Sequence, residues 1–264
     1  MVRLLIIGFD AMAHAMSKAP EGLILKKQSV VHAHTGISWT SFYTGMLKEQ
    51  HGVTDKWGRP EGGSKIFNDI RHLTFMDKIS KAGHKVYYCN LPTTPEGFPF
   101  FEKPLTDLIN RYKAEVNRGA IYWAAAIRNA GIDKIVALVR GDSYEMIEED
   151  KIKESDLAFI QFSFLDRIGH CFTFESDEVM NKSYALAYEL IGHLIKLSNP
   201  EYVIVTSDHG FPRNTCGHED YKEGSKDAVL MLNSSAAEFF KEYDVVRQID
   251  IHNKILRMFD VSCQ

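Results

Sequence analysis

Leu4-Leu5-Ile6-Ile7-Gly8-Phe9-Asp10 is a short, continuous apolar run that ends in an acid. A run of this length and character reads as a strand buried on both faces. Four further runs share the pattern, at residues 85–90, 157–164, 202–206 and 228–232. Helix-like stretches lie between them. Residues 73–82 stop at Gly83, a C-terminal glycine signal. Residues 177–197 place Tyr184, Ala187, Ile191 and Leu194 on one face and are closed by Asn199-Pro200, and residues 250–259 read as a closing helix. Apolar strands alternating with amphipathic helices predict an α/β fold, a mostly parallel central sheet sandwiched by helices.

The 264 residues suit one domain over 1–264, with a small cap or insertion within about residues 57–155. That region opens on the loop signal Gly58-Arg59-Pro60-Glu61-Gly62-Gly63. It then holds a turn-rich stretch over 91–104, a long helical stretch over 105–140 and a charge-dense run over 145–154 that reads as a solvated helix face. With 45% hydrophobic and 25% charged residues the composition is globular, which excludes a disordered or collagenous chain. The 31 Lys+Arg against 35 Asp+Glu leave a net charge of -4, so no basic field points to a nucleic acid duplex or a membrane surface. No apolar run is long enough to span a bilayer, and no secretory signal is expected ahead of the first strand. Cys89, Cys171, Cys216 and Cys263 form no CxxC pair; reduced thiols in the cytoplasm are the expectation. Oligomeric state has no signal.

In α/β sheets, ligands bind beyond the carboxyl ends of the strands, so the residues there carry the functional reading. The first strand ends at Asp10. The run over 157–164 is followed by Asp166-Arg167-Ile168-Gly169-His170. The run over 202–206 is followed by Ser207-Asp208-His209-Gly210 and, shortly after, Cys216-Gly217-His218. One such Asp is an ordinary cap or turn residue. Three strand ends carrying three Asp and three His form a ligand set for zinc, or for manganese in a harder site, and are too many for one tetrahedral ion. Two ions stabilise both the attacking and the leaving oxygen in a displacement at phosphorus. The nucleophile is then expected where a loop enters a helix. His34-Thr35-Gly36 is such a junction, opening a short helix that ends near Gly45, and a hydroxyl there meets unpaired N–H groups and the positive end of the dipole.

Asp10, the Thr35…Thr44-Gly45 segment followed by His51-Gly52-Val53, Asp166…His170, Asp208-His209-Gly210 and His218 resemble the motif series of the alkaline phosphatase superfamily. The branch most resembled is the type I phosphodiesterase/nucleotide pyrophosphatase group. The motifs occur in family order between residues 10 and 218. The resemblance implies two divalent ions, zinc with manganese as the alternative, one held by Asp166, His170 and His218 and the other by Asp10, Asp208, His209 and the Thr35 oxygen. It implies attack by Thr35 on a small phosphorylated, nucleotide-like substrate, a phosphothreonine intermediate, and release of the phosphate by water.

Two departures from the family pattern stand out. Ile37 occupies the place where this branch often carries Pro. Lys56, in His51-Gly52-Val53-Thr54-Asp55-Lys56, stands where nucleotide pyrophosphatases typically present Asn. A lysine supplies a full positive charge to a phosphoryl oxygen, which would favour a monoester or phosphonate. An intramolecular phosphotransferase like the cofactor-independent mutases is the other alternative, though those have a larger second domain and usually a Ser nucleophile. A non-catalytic binding module would not need the complete ligand set with its hydroxyl. Gly8-Phe9-Asp10 lacks the GxGxxG of a dinucleotide turn. His32 and His34 alternate just ahead of the expected nucleophile and are open to a substrate role. Tyr87, Tyr88, Phe98, Phe100 and Phe101 are either a stacking wall or core packing.

Overall fold

The computed structural model describes residues 2–54, 61–94, 131–172, 176–213, 217–218, 220 and 222–262. The expected strand runs form β1 (Leu4–Phe9), β3 (Val86–Cys89), β4 (Leu157–Phe162), β5 (Tyr202–Ser207) and β6 (Asp227–Asn233). Two strands are additions, β2 (Leu23–Ser29) and β7 (Val245–Arg247). The sheet order is β3-β4-β1-β5-β6-β2-β7. β1 lies parallel between β4 and β5, with Gly8 opposite Gln161 and Thr206, while β6 runs antiparallel to both β5 and β2.

β2 escaped the search for apolar runs because Leu-Ile-Leu-Lys-Lys-Gln-Ser is not one. Its lysines bury their stems and keep their charges at the margin. Lys26 Nζ donates to the Tyr243 carbonyl (2.6 Å) and Lys27 pairs with Asp227 (2.8 Å).

The strands bury both faces, as continuous apolar runs require. Alternate residues Leu5, Ile7 and Phe9 of β1 belong to one core; Leu4 and Ile6 belong to the other. The first core is closed by α4 (Ile132–Met146), α5 (Glu149–Glu154), α6 (Phe164–Phe172) and α7 (Asp177–Ser198). The second is closed by α1 (Thr35–Thr44), α3 (Phe75–Lys81) and α8 (Gln248–Met258). The short α2 (Lys48–His51) follows α1.

β3 joins the central sheet, and α4 and α5 pack on its face, so these parts of 57–155 belong to the core layers. Residues 95–130, where an inserted cap and most of the expected 105–140 helix would fall, lie outside the described residues. So do Phe98, Phe100 and Phe101. Tyr87 packs against one core and Tyr88 against the other.

α1 is buried on every side: all its residues from Thr35 to Thr44 are buried. Trp39 on α1 presses onto β1 where Gly8 leaves room; a Cβ at Gly8 would lie 2.7 Å from the Trp39 ring. The helix ends on Gly45 in the left-handed region (φ 68°). The segment that opens with Thr35 is therefore an internal helix, packed against the sheet below it.

Candidate active site

Three strands deliver their acids to one end of the sheet. β1 ends directly before Asp10, β5 directly before Asp208, and β4 feeds α6. The apolar run over 157–164 breaks at Ser163, so Phe164 already opens α6. Asp166 and His170 therefore stand one turn apart on a helix, which accounts for their spacing. Asp10 and Asp208 are buried, as are Thr35 and His209.

The distances between ligand-type atoms fall in a narrow band. Asp166 Oδ1 lies 3.0 Å from His218 Nε2 and 3.4 Å from His170 Nε2. His209 Nε2 lies 3.0 Å from Asp10 Oδ1 and 3.5 Å from Asp208 Oδ2. Thr35 Oγ donates to Asp10 Oδ1 across 3.5 Å. Yet Asp166 Oδ1, Asp208 Oδ2 and His209 Nε2 have no hydrogen-bond partner, although all three atoms are buried. Buried polar atoms without partners need an explanation. Ligand atoms about 2.0–2.1 Å from a zinc ion in a tetrahedral shell stand roughly 3.3 Å from one another. The observed separations match that spacing and lack hydrogen-bond geometry, as expected of lone pairs directed at a shared cation.

Among the described residues, two groups could hold an ion: Asp166, His170 and His218, and Asp10, Asp166 and His209. Asp166 belongs to both. Asp208 and Thr35 flank the second group through His209 and Asp10 respectively. The seven residues Asp10, Thr35, Asp166, His170, Asp208, His209 and His218 are thus brought to one place. Lys56 lies outside the described residues.

Neighbouring groups set the imidazole tautomers. His209 Nδ1 meets the Gly210 carbonyl at 3.0 Å and His218 Nδ1 meets the Ala33 carbonyl at 2.9 Å. A carbonyl only accepts, so each Nδ1 carries a proton and each Nε2 is the nitrogen left to serve the cluster. The His209 and His218 rings stack with centroids 3.8 Å apart, and the Phe211 ring packs against His170 (5.2 Å) and His218 (5.5 Å).

The electrostatics also call for a cation. Burial, then the carboxylates of Asp10 and Asp166, pushes Asp208 well above the usual carboxylate range. For Asp166 burial acts upward, but His170 and His218 overcome it and hold the acid below that range. Burial works against a charged His218, while Asp166 and Asp10 raise it to about 9. Without a divalent ion, it is a protonated His218 that offsets Asp166.

The loops around the cluster are tightly tied. Ala11 takes a left-handed conformation (φ 68°), and its N–H donates to Asp208 Oδ1 (3.3 Å). The Met12 N–H donates to Ser207 Oγ (2.8 Å), which itself donates to the His209 carbonyl (2.7 Å). Ser38 Oγ contacts the Asp208 carbonyl and Gln248 Oε1 (2.9 Å), tying α1 to the end of β5. In Asp208-His209-Gly210 the glycine has a steric cause: a Cβ there would stand 2.3 Å from the Gly224 carbonyl oxygen. Ser38, Ser207 and Asp220, which meets His32 and accepts from the Ala33 N–H, carried no signal in the sequence pattern.

His32, shortly ahead of Thr35, faces Asp220 (2.9 Å). Other histidines serve packing. His51 accepts from the Val53 N–H at Nδ1 (3.0 Å) and meets Ser41 Oγ through Nε2 (3.2 Å). His252 donates from Nδ1 to the Tyr43 carbonyl (2.7 Å), His84 packs on Phe259 and His193 on Tyr144.

The family model for type I phosphodiesterase/nucleotide pyrophosphatase matches residues 8–237, from the end of β1 to just beyond β6. The chain belongs to that family. This type I phosphodiesterase-family chain is accordingly a hydrolase of phosphoesters in the alkaline phosphatase superfamily, a metal-dependent group. No curated protein sequence matches it significantly. Among solved structures, an inactive murine ectonucleotide pyrophosphatase/phosphodiesterase 5 in complex with AMP is 11% identical with a TM-score of 0.59, over 100% of this chain and 96% of that one. The phosphonate monoester hydrolase of Agrobacterium radiobacter is 10% identical with a TM-score of 0.60, over 99% and 74%. A 2-O GAG sulfatase is 9% identical with a TM-score of 0.60, over 100% and 71%. At these identities the likeness is one of fold. Among the described residues no helix is long and apolar enough to cross a membrane.

Proposed function

We propose that this phosphodiesterase-family chain is a two-metal phosphohydrolase that cleaves small, nucleotide-type phosphoesters through a covalent intermediate on Thr35. One observation carries the reading: the Thr35 hydroxyl abuts Asp10, beside a cluster in which four imidazole–carboxylate pairs stand 3.0–3.5 Å apart and buried ligand-type atoms lack hydrogen-bond partners. Asp166, His170 and His218 would hold one ion; Asp10, Asp208 and His209, with the Thr35 oxygen, would hold the other. Zinc suits the mixed imidazole and carboxylate donors, with manganese as the alternative. When bound, the ions supply Lewis acidity to the attacking and departing oxygens and lower the pKa of the Thr35 hydroxyl.

The chain's own part is positioning. Thr35 is the first residue of α1, so the N–H groups of the first turn lack intrahelical acceptors and face the phosphoryl oxygens with the positive end of the dipole. The Thr35 Oγ gives its proton to solvent and forms a bond to phosphorus as the bond to the leaving oxygen breaks, and the leaving oxygen takes up a proton from solvent. Water then cleaves the Oγ–phosphorus bond, returning the hydroxyl and releasing the phosphorylated product. The burial of α1 and the Ser38 contacts hold Thr35 at fixed distance from Asp10, which supplies near-attack geometry.

AMP in the murine neighbour is the basis for a nucleotide-like substrate here. A cytoplasmic setting belongs to the same reading, on the widely spaced cysteines and the free thiol of Cys89.

The test is bis(p-nitrophenyl) phosphate hydrolysis by zinc-loaded and manganese-loaded protein, wild type against Thr35→Ala. Activity should fall by at least about a thousandfold, as losing a covalent nucleophile does. Wild-type turnover in Thr35→Ala with metal bound would sink the covalent mechanism.

A further inference from the structure

We propose that Asp220 is a positioning residue that registers the nucleophile loop on the cluster histidine His218. This rests on the reading of His218 as a metal ligand. The loop over 30–34 delivers Thr35, and the segment after Gly217 delivers His218; the two come from opposite ends of the chain. Asp220 joins them with both carboxylate oxygens. Oδ1 accepts the Ala33 N–H, and Oδ2 faces His32 Nδ1 at 2.9 Å. The same Ala33 residue then accepts from His218 Nδ1 through its carbonyl (2.9 Å). The residue directly ahead of His34 and Thr35 is therefore held on its N–H side by Asp220 and on its carbonyl side by His218.

The chemistry of the arrangement is directional. The hydrogen bond from His218 to Ala33 leaves the Nε2 lone pair free for the cluster, and orients the ring edge-on toward Asp166. A shift of Ala33 would rotate His218 and displace Thr35 at once, because Ala33 precedes the first helical residue by only His34. The Asp220 carboxylate also sits close to the start of α1, where the helix dipole favours an anion. His32, open to a substrate role in the sequence, is here a strut for Asp220.

Groups that orient ligating histidines typically change metal affinity or activity by about 10–100-fold when removed. The experiment measures Zn2+ affinity by chelator competition, together with kcat and KM on bis(p-nitrophenyl) phosphate and a thermal melt. The variants are Asp220→Ala, Asp220→Asn and His218→Ala. The expected result is a loss of zinc affinity of about tenfold or more in Asp220→Ala, with kcat falling further than KM changes. Asp220→Asn, which keeps one acceptor, should fall between Asp220→Ala and wild type. Wild-type zinc affinity in Asp220→Ala, with weakened binding in His218→Ala, overturns the clamp and leaves the metal reading standing. Wild-type zinc affinity in His218→Ala removes both. If Asp220→Ala does not fold, Asp220→Asn decides: an intermediate zinc affinity supports the clamp, and wild-type affinity overturns it.

Discussion

Protonation of His252 should loosen α1, the helix that Thr35 opens. His252 on α8 is buried and donates from Nδ1 to the carbonyl of Tyr43, in the last turn of α1. Burial lowers its pKa from 6.5 to about 4, the Tyr43 carbonyl opposing and Lys78 reinforcing the shift. His51, whose Nε2 meets Ser41 Oγ on the same helix, is likewise lowered to about 4 by burial. The folded pKa lies below the unfolded one, so between about pH 4 and 6.5 the unfolded chain binds more protons and stability falls as pH falls. At about pH 5.5 each histidine costs between about 1 and 2 kcal/mol against almost nothing at about pH 7.5, and the full penalty approaches about 3 kcal/mol below about pH 4.

An unfolding entropy of roughly 2.1 cal/mol/K per residue gives about 0.55 kcal/mol/K for 264 residues, so each histidine should lower Tm by about 2.5 °C over that interval. The assay is a thermal melt at about pH 7.5 and 5.5 of wild type and His252→Asn, whose amide keeps a donor for the Tyr43 carbonyl. The variant should start lower from lost packing, yet its drop between the two pH values should be smaller by about 2.5 °C. Groups that titrate in both proteins, the cluster included, cancel in that double difference. Equal drops would refute the argument that a neutral, buried His252 pins α1.

Two further substitutions probe the site from other directions. Gly210→Ala forces a Cβ against the Gly224 and Asp227 carbonyls and moves the acceptor of His209 Nδ1, so melting should report a loss of about 2 kcal/mol or more, with kcat reduced. An alanine variant as stable as wild type would show that the two loops separate freely. Lys56→Asn should shift the ratio of kcat/KM for bis-aryl over mono-aryl phosphates toward the diester, on the expectation from the sequence that a lysine at this position supplies a full charge to a phosphoryl oxygen. An unchanged ratio would end the electrostatic argument for a monoester preference.

What was legible in the sequence was local. The buried strands β1, β4, β5 and β6 showed as apolar runs, and a strand's end fixes where the next polar residue emerges. Asp10, Asp208 and His209 could be placed for that reason. The Asp166 and His170 pair was legible through its spacing, although the run over 157–164 hid that Phe164 already opens the helix that puts both on one face. β2 was not legible, because its lysines make sense only beside Asp227 and the Tyr243 carbonyl. β7, a strand of only three residues, was also missed.

The burial of α1 on all sides, the shared place of Asp166 in both ligand groups, and the bracing of Ala33 by Asp220 were decided by tertiary structure alone. Asp220 and its two partners stand 187 and 188 residues apart in the chain. Periodicity and spacing report on neighbours within a few turns, whereas these contacts exist only once the sheet has brought both ends of the chain to one edge. The residue types for metal-assisted phosphoryl chemistry are written into the strand ends. Their separations of 3.0–3.5 Å, and the orientation of each imidazole, come from packing.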